Sequence, residues 1–80
     1  MEDIRIEDRI SKDIQIFDEN LDKVSGAALD KELKRIFDMA KMYASDCKSY
    51  LEIGDTVTAF SCISYAHGLL DAIIIILDKS

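Results

Sequence analysis

Apolar residues recur along the first third of the chain at Ile6, Ile10, Ile14, Phe17, Leu21 and Val24, in steps of 4, 4, 3, 4 and 3. This spacing stacks them on one side of an α-helix, and it predicts a helix over about residues 5–24. Glu7, Asp8, Arg9, Lys12, Asp13, Asp18, Glu19 and Asp22 fall between them and form the wet side. Ile4 and Ile16 lie off the stripe. Ser25 and Gly26 interrupt the pattern, and Ser25 is the expected N-cap of a second helix. Leu29, Leu33, Ile36, Ala40, Tyr43, Cys47 and Tyr50 then repeat the helical spacing, broadened by Phe37, Ala44 and Leu51. They predict that second helix over about 27–53, wide enough in its apolar band to touch two neighbours.

Gly54-Asp55 is the clearest punctuation in the chain. A glycine can end a helix in the left-handed conformation, and an aspartate can cap the amides of the next helix. So short a connection folds its flanking helices back as antiparallel neighbours. The third segment, about 56–78, carries two adjacent stripes. One is Phe60, Ile63, His67, Leu70, Ile74 and Leu77, and the other is Ala59, Cys62, Ala66, Leu69, Ile73 and Ile76. From Thr56 through Leu77 the only formal charge is Asp71. Such a helix is expected to be covered on most of its circumference, by the other two helices and by a partner subunit. The β-branched run Ile73 to Ile76 favours a strand by propensity, but the helical period continues through it and a lone strand would have no partner.

Composition narrows the fold class. The 80 residues contain no proline and 3 glycines, too few turn formers for a sandwich or barrel, while 49% hydrophobic content sets disorder aside. The expected fold is all-α: one three-helix-bundle domain over 1–80 with antiparallel neighbours, completed by dimerisation. Surface scaling for 9.0 kDa gives about 4,900 Å² exposed when folded against roughly 13,000 Å² unfolded. A hydrophobic gain of about 125 kcal/mol then meets an ordering cost of about 120 kcal/mol. With the two so nearly equal, a second subunit would matter.

The net charge is −6, and it disfavours a phosphate backbone as partner. Lys31, Lys34 and Arg35 form a local basic group but are interleaved with Asp30, Glu32 and Asp38, as on a solvated helix face. Met1 to Asp8 carries four acids and one arginine, unlike an export or organellar leader. The longest hydrophobic stretch near the C-terminus, Leu69 to Leu77, is broken by Asp71 and falls far short of the roughly 18 residues that a membrane helix needs. A soluble, cytoplasmic protein is therefore expected. Cys47 and Cys62 lack metal-ligand spacing and read as reduced, packed thiols.

Chemistry has few candidates. His67 and Asp71 stand one helical turn apart, with Tyr65 nearby, and could hold a ligand or orient an imidazole as a base. The competing reading makes His67 a packed histidine satisfied by a hydrogen bond. Tyr43, Tyr50 and Tyr65 read as core or interface edges. Ala59, Ser61, Cys62, Ser64, Ala66 and Gly68 suggest close approach of a neighbouring backbone, so Gly68→Leu is expected to clash. No phosphate loop, nucleophile elbow, zinc spacing or calcium loop is present, and no catalytic residue, metal or cofactor is assigned.

The run Tyr50-Leu51-Glu52-Ile53-Gly54-Asp55-Thr56-Val57-Thr58-Ala59-Phe60, continued by Ser61-Cys62-Ile63-Ser64-Tyr65-Ala66-His67-Gly68-Leu69-Leu70-Asp71-Ala72, resembles the short archaeal proteins catalogued as domain of unknown function number 357. The resemblance implies a small three-helix bundle and assigns no activity, cofactor or functional residue. Ile73 to Ile76 is more apolar than the family's usual ending, in which glycine and a basic residue often follow the Asp-Ala step. The leading expectation is an interaction or scaffold module, as a homodimer or with a protein partner. The first alternative is a ligand-binding or catalytic module built on Tyr65, His67 and Asp71. The second is weak nucleic-acid binding through Lys31, Lys34, Arg35, Lys41 and Lys48.

Overall fold

The computed structural model describes residues 5–79, which form three α-helices: α1 (Ile6–Ser25), α2 (Lys31–Glu52) and α3 (Thr56–Asp78). The fold is an all-α three-helix bundle, with no strand among the described residues. Ile73 to Ile76 continues the helix, as its periodicity predicts. Met1 to Ile4 lie outside the described residues.

α1 buries Ile10, Phe17 and Val24, three residues of the stripe read in the sequence. α2 turns Ala40, Ala44 and Cys47 inward, and α3 contributes Ala59, Ile63, Ala66, Leu70 and Ile73. The small residues that α2 and α3 bury let these two helices approach closely, and they make the most extensive contact in the molecule. α1 packs on α3 and meets α2 in only a few places. The result is a flat body measuring 43 × 27 × 16 Å, whose radius of gyration of 13.5 Å exceeds the roughly 11.6 Å typical of 80 residues.

The turn between α2 and α3 is built as the sequence implies. Gly54 has φ +82°, its N–H donates to the Leu51 carbonyl and the Asp55 N–H donates to the Tyr50 carbonyl, the paired closure of a Schellman motif. The Asp55 carboxylate then accepts from the Thr58 N–H at 3.1 Å. Asp55 thus closes one helix through its backbone and opens the next through its side chain.

Two expectations need correction. α2 begins at Lys31, not near residue 27, and its cap is Asp30, whose carboxylate accepts from the Leu33 N–H at 2.8 Å. Ser25 instead belongs to α1 and donates back to the Asp22 carbonyl. A carboxylate is favoured over a hydroxyl here because its charge also meets the positive end of the helix. The second correction concerns the cover expected around α3, of which the part supplied by α1 and α2 leaves one side of the helix open in the single chain. Val57, Ser61, Ser64, Tyr65, Gly68, Asp71, Ala72, Ile75 and Ile76 line an exposed outer side.

Candidate functional site

Tyr65, His67 and Asp71 share a helix, but their surroundings separate them. The Nε2–H of His67 donates to the Asp13 carbonyl of α1 at 2.8 Å. Its ring stands edge-on to Phe17, with centroids 5.7 Å apart and planes at 88°. The imidazole is half-buried and serves as a polar rivet between α1 and α3. Arg9 strengthens the same seam, since its guanidinium lies 5.9 Å from the centre of the Phe60 ring.

Tyr65 turns toward α2. Its ring meets Tyr43 edge-to-face at 4.7 Å, and half of the residue remains exposed. Asp71 lies in solvent and has no hydrogen bond or ion pair among the described residues. The three candidate residues therefore engage α1, α2 and water respectively. No pocket forms, and no group of three or more His, Cys, Asp or Glu side chains could hold a metal ion among the described residues.

Cys47 is fully buried and Cys62 is half-buried, and both are free thiols. Burial pushes the Cys47 thiol above its ordinary pKa, reinforced by the neighbouring Cys62. Burial also raises Cys62, with further contributions from Asp46 and Asp55. Both stay protonated at neutral pH, the opposite of an activated nucleophile. The basic residues Lys31, Lys34, Arg35, Lys41 and Lys48 are all exposed. Lys41 pairs with Asp38 at 3.7 Å and lies over the Phe37 ring at 4.9 Å.

The surface that stands out is the outer side of α3. Val57 is 77% exposed, Ile75 56% and Ile76 46%, and Tyr65 stands among them. Ile53, at the end of α2 beside the turn, is also 75% exposed. Between the large residues lie Ser61, Ser64, Gly68 and Ala72. Ser61 donates its hydroxyl to the Val57 carbonyl at 3.1 Å, which satisfies it without solvent. The small residues noted in the sequence are thus divided: Ala59 and Ala66 face the core, whereas Ser61, Ser64 and Gly68 face out. A Cβ placed on Gly68 would meet nothing within 4 Å, so the clash expected for Gly68→Leu is absent within the chain. Sequence spacing could not orient this helix, because apolar residues surround it almost completely. The expectation of a stretch far too short for a membrane is corrected here: counted over the whole of Thr56–Asp78, α3 is long and apolar enough to cross one by length and composition.

No match is found among curated proteins. The sequence profile of one family matches residues 12–77, spanning α3 almost to its end together with α2 and most of α1. The chain belongs to that family, described as "Protein of unknown function (DUF357)".

Proposed function

We propose that the protein is a helical interaction module whose working surface is the outer side of α3. The observation that supports this is the run of exposed large apolar side chains, Val57, Tyr65, Ile75 and Ile76, along a helix whose opposite side already forms the core. An apolar strip of that length on a small acidic protein marks a docking surface. Because Ser61, Ser64, Gly68 and Ala72 keep its centre low, a partner helix can lie close to the α3 backbone. The chain works as an acidic, soluble protein in the cytoplasm in this reading, with its charges spread over the other surfaces.

The two alternatives draw less support. A ligand site on Tyr65, His67 and Asp71 would need side chains that converge, and these engage different surroundings. Nucleic-acid binding would rest on exposed lysines within a chain of net charge −6.

The test is affinity capture from cells of the source organism, using the intact protein and a Val57→Lys/Ile75→Lys variant as baits. Both substituted sites are exposed, so the variant keeps its Tm. Proteins retained by the parent and lost by the variant are the expected result. An identical retained set for both baits would overturn the assignment of this surface.

A further inference from the structure

We infer that the occupant of this surface is a second copy of the chain, lying antiparallel across the first with the two-fold axis at Gly68. The inference rests on the docking role proposed for α3 and specifies the partner. Three observations support it: the pattern of side chains on the strip, its single charge, and the area the chain leaves exposed.

A two-fold axis at Gly68 places each residue before it opposite the one equally far beyond it in the other copy. Ser64 then faces Ala72, small against small beside the axis, and Ser61 faces Ile75, where bulk meets a gap. Gly68 meets Gly68, where no Cβ holds the backbones apart. Val57 faces Lys79, whose aliphatic stem can cover it while the ammonium stays in water.

Charge sets the direction. Asp71 is the sole formal charge from Thr56 to Leu77 and has no partner among the described residues. In a parallel pair with the same register it would sit against its own copy, like charge against like. In the antiparallel pair it faces Tyr65, whose phenol can donate a charge-assisted hydrogen bond to it. The residue left solitary within one chain thus gains a donor in the pair.

The area agrees. The chain exposes 5683 Å², about 800 Å² above the scaling value of about 4,900 Å² for its mass. That surplus accompanies the flat body and is of the size of one partner's share of a standard interface, about 800 Å².

Sedimentation equilibrium of the full chain, from low micromolar to submillimolar concentration, tests the pairing. The expected result is a reversible rise toward twice the 9.0 kDa chain mass. Gly68→Leu and Ile75→Lys should each weaken association about tenfold or more, with Tm of the dilute protein not lowered. Asp71→Asn and Tyr65→Phe should each weaken it, and the double variant by no more than the stronger single one. Higher ionic strength should tighten association, because two copies of net charge −6 repel. A monomer at every concentration overturns the inference, as does a Gly68→Leu protein that still pairs fully. Tightening by Asp71→Asn overturns the antiparallel arrangement. If the chain stays monomeric while affinity capture still distinguishes parent from Val57→Lys/Ile75→Lys, the homodimer falls and the docking role stands. If neither assay responds, both fall.

Discussion

Gly54 lies in the turn between α2 and α3 and Gly68 inside α3, and replacement by alanine should move stability in opposite directions at the two sites. Gly54 holds φ +82°, a conformation that a Cβ strains, so Gly54→Ala should cost about 1 kcal/mol. Gly68 lies inside α3 with open space where its Cβ would be, so Gly68→Ala should gain about 0.5–1 kcal/mol of helix propensity. Thermal melts of dilute protein check both, at about 4–8 °C per kcal/mol for a chain of this size. Cys47 adds a pH dependence. A thiol whose pKa is raised by folding contributes stability below its unfolded value, and that contribution is lost as pH climbs through the raised one. Stability should therefore fall as pH rises past about 8.5, by at most about 1.4 kcal/mol per pH unit for this group. Cys47→Ala should flatten the slope while lowering stability at neutral pH. Denaturant unfolding at neutral and alkaline pH measures both effects.

Among the elements, α3 opens on a side-chain cap. The Asp55 side chain supplies the cap at the Thr58 N–H, and Asp55→Ala should cost about 1 kcal/mol, with Asp55→Asn largely restoring it. Circular dichroism melts of the two variants against the parent decide this. That cap was legible in the sequence because Gly-Asp supplies both halves of a helix break within two residues. The α1 stripe was equally legible, since Ile10, Phe17 and Val24 alternate with charges that can face only water. The start of α2 was harder to read, because Ser25 and Asp30 are both able caps and the residues between them, Gly26 to Leu29, do not choose. α3 was legible as a helix but not in orientation. Its core line, Ala59, Ile63, Ala66, Leu70 and Ile73, takes members from both stripes seen in the sequence, and only contact with α1 and α2 selects it. For the same reason His67 could be read as a satisfied histidine, while its partner, a backbone carbonyl 54 residues away, left no mark in local spacing.

For the whole molecule, the flat body divides into a tightly joined α2–α3 pair and an α1 attached chiefly through α3. Phe17, Ile10 and Val24 provide most of that attachment, with the His67 bond to Asp13 and the Arg9–Phe60 contact at its edge. Removing a buried phenylalanine side chain costs about 3–5 kcal/mol, so Phe17→Ala takes a large part of what holds α1 in place. The same division explains why the outer side of α3 stays uncovered: α1 and α2 flank the helix without closing around it.

The three-residue link through Gly54 also sets the order of events when the chain folds. α2 and α3 can zip together from that link through neighbours close in sequence, at little loop-closure cost. α1 has to find α3 across the whole of α2, so it is expected to join after the α2–α3 pair has formed. Stopped-flow measurements of Phe17→Ala should accordingly show faster unfolding at a nearly unchanged refolding rate, whereas Ile63→Val should slow refolding.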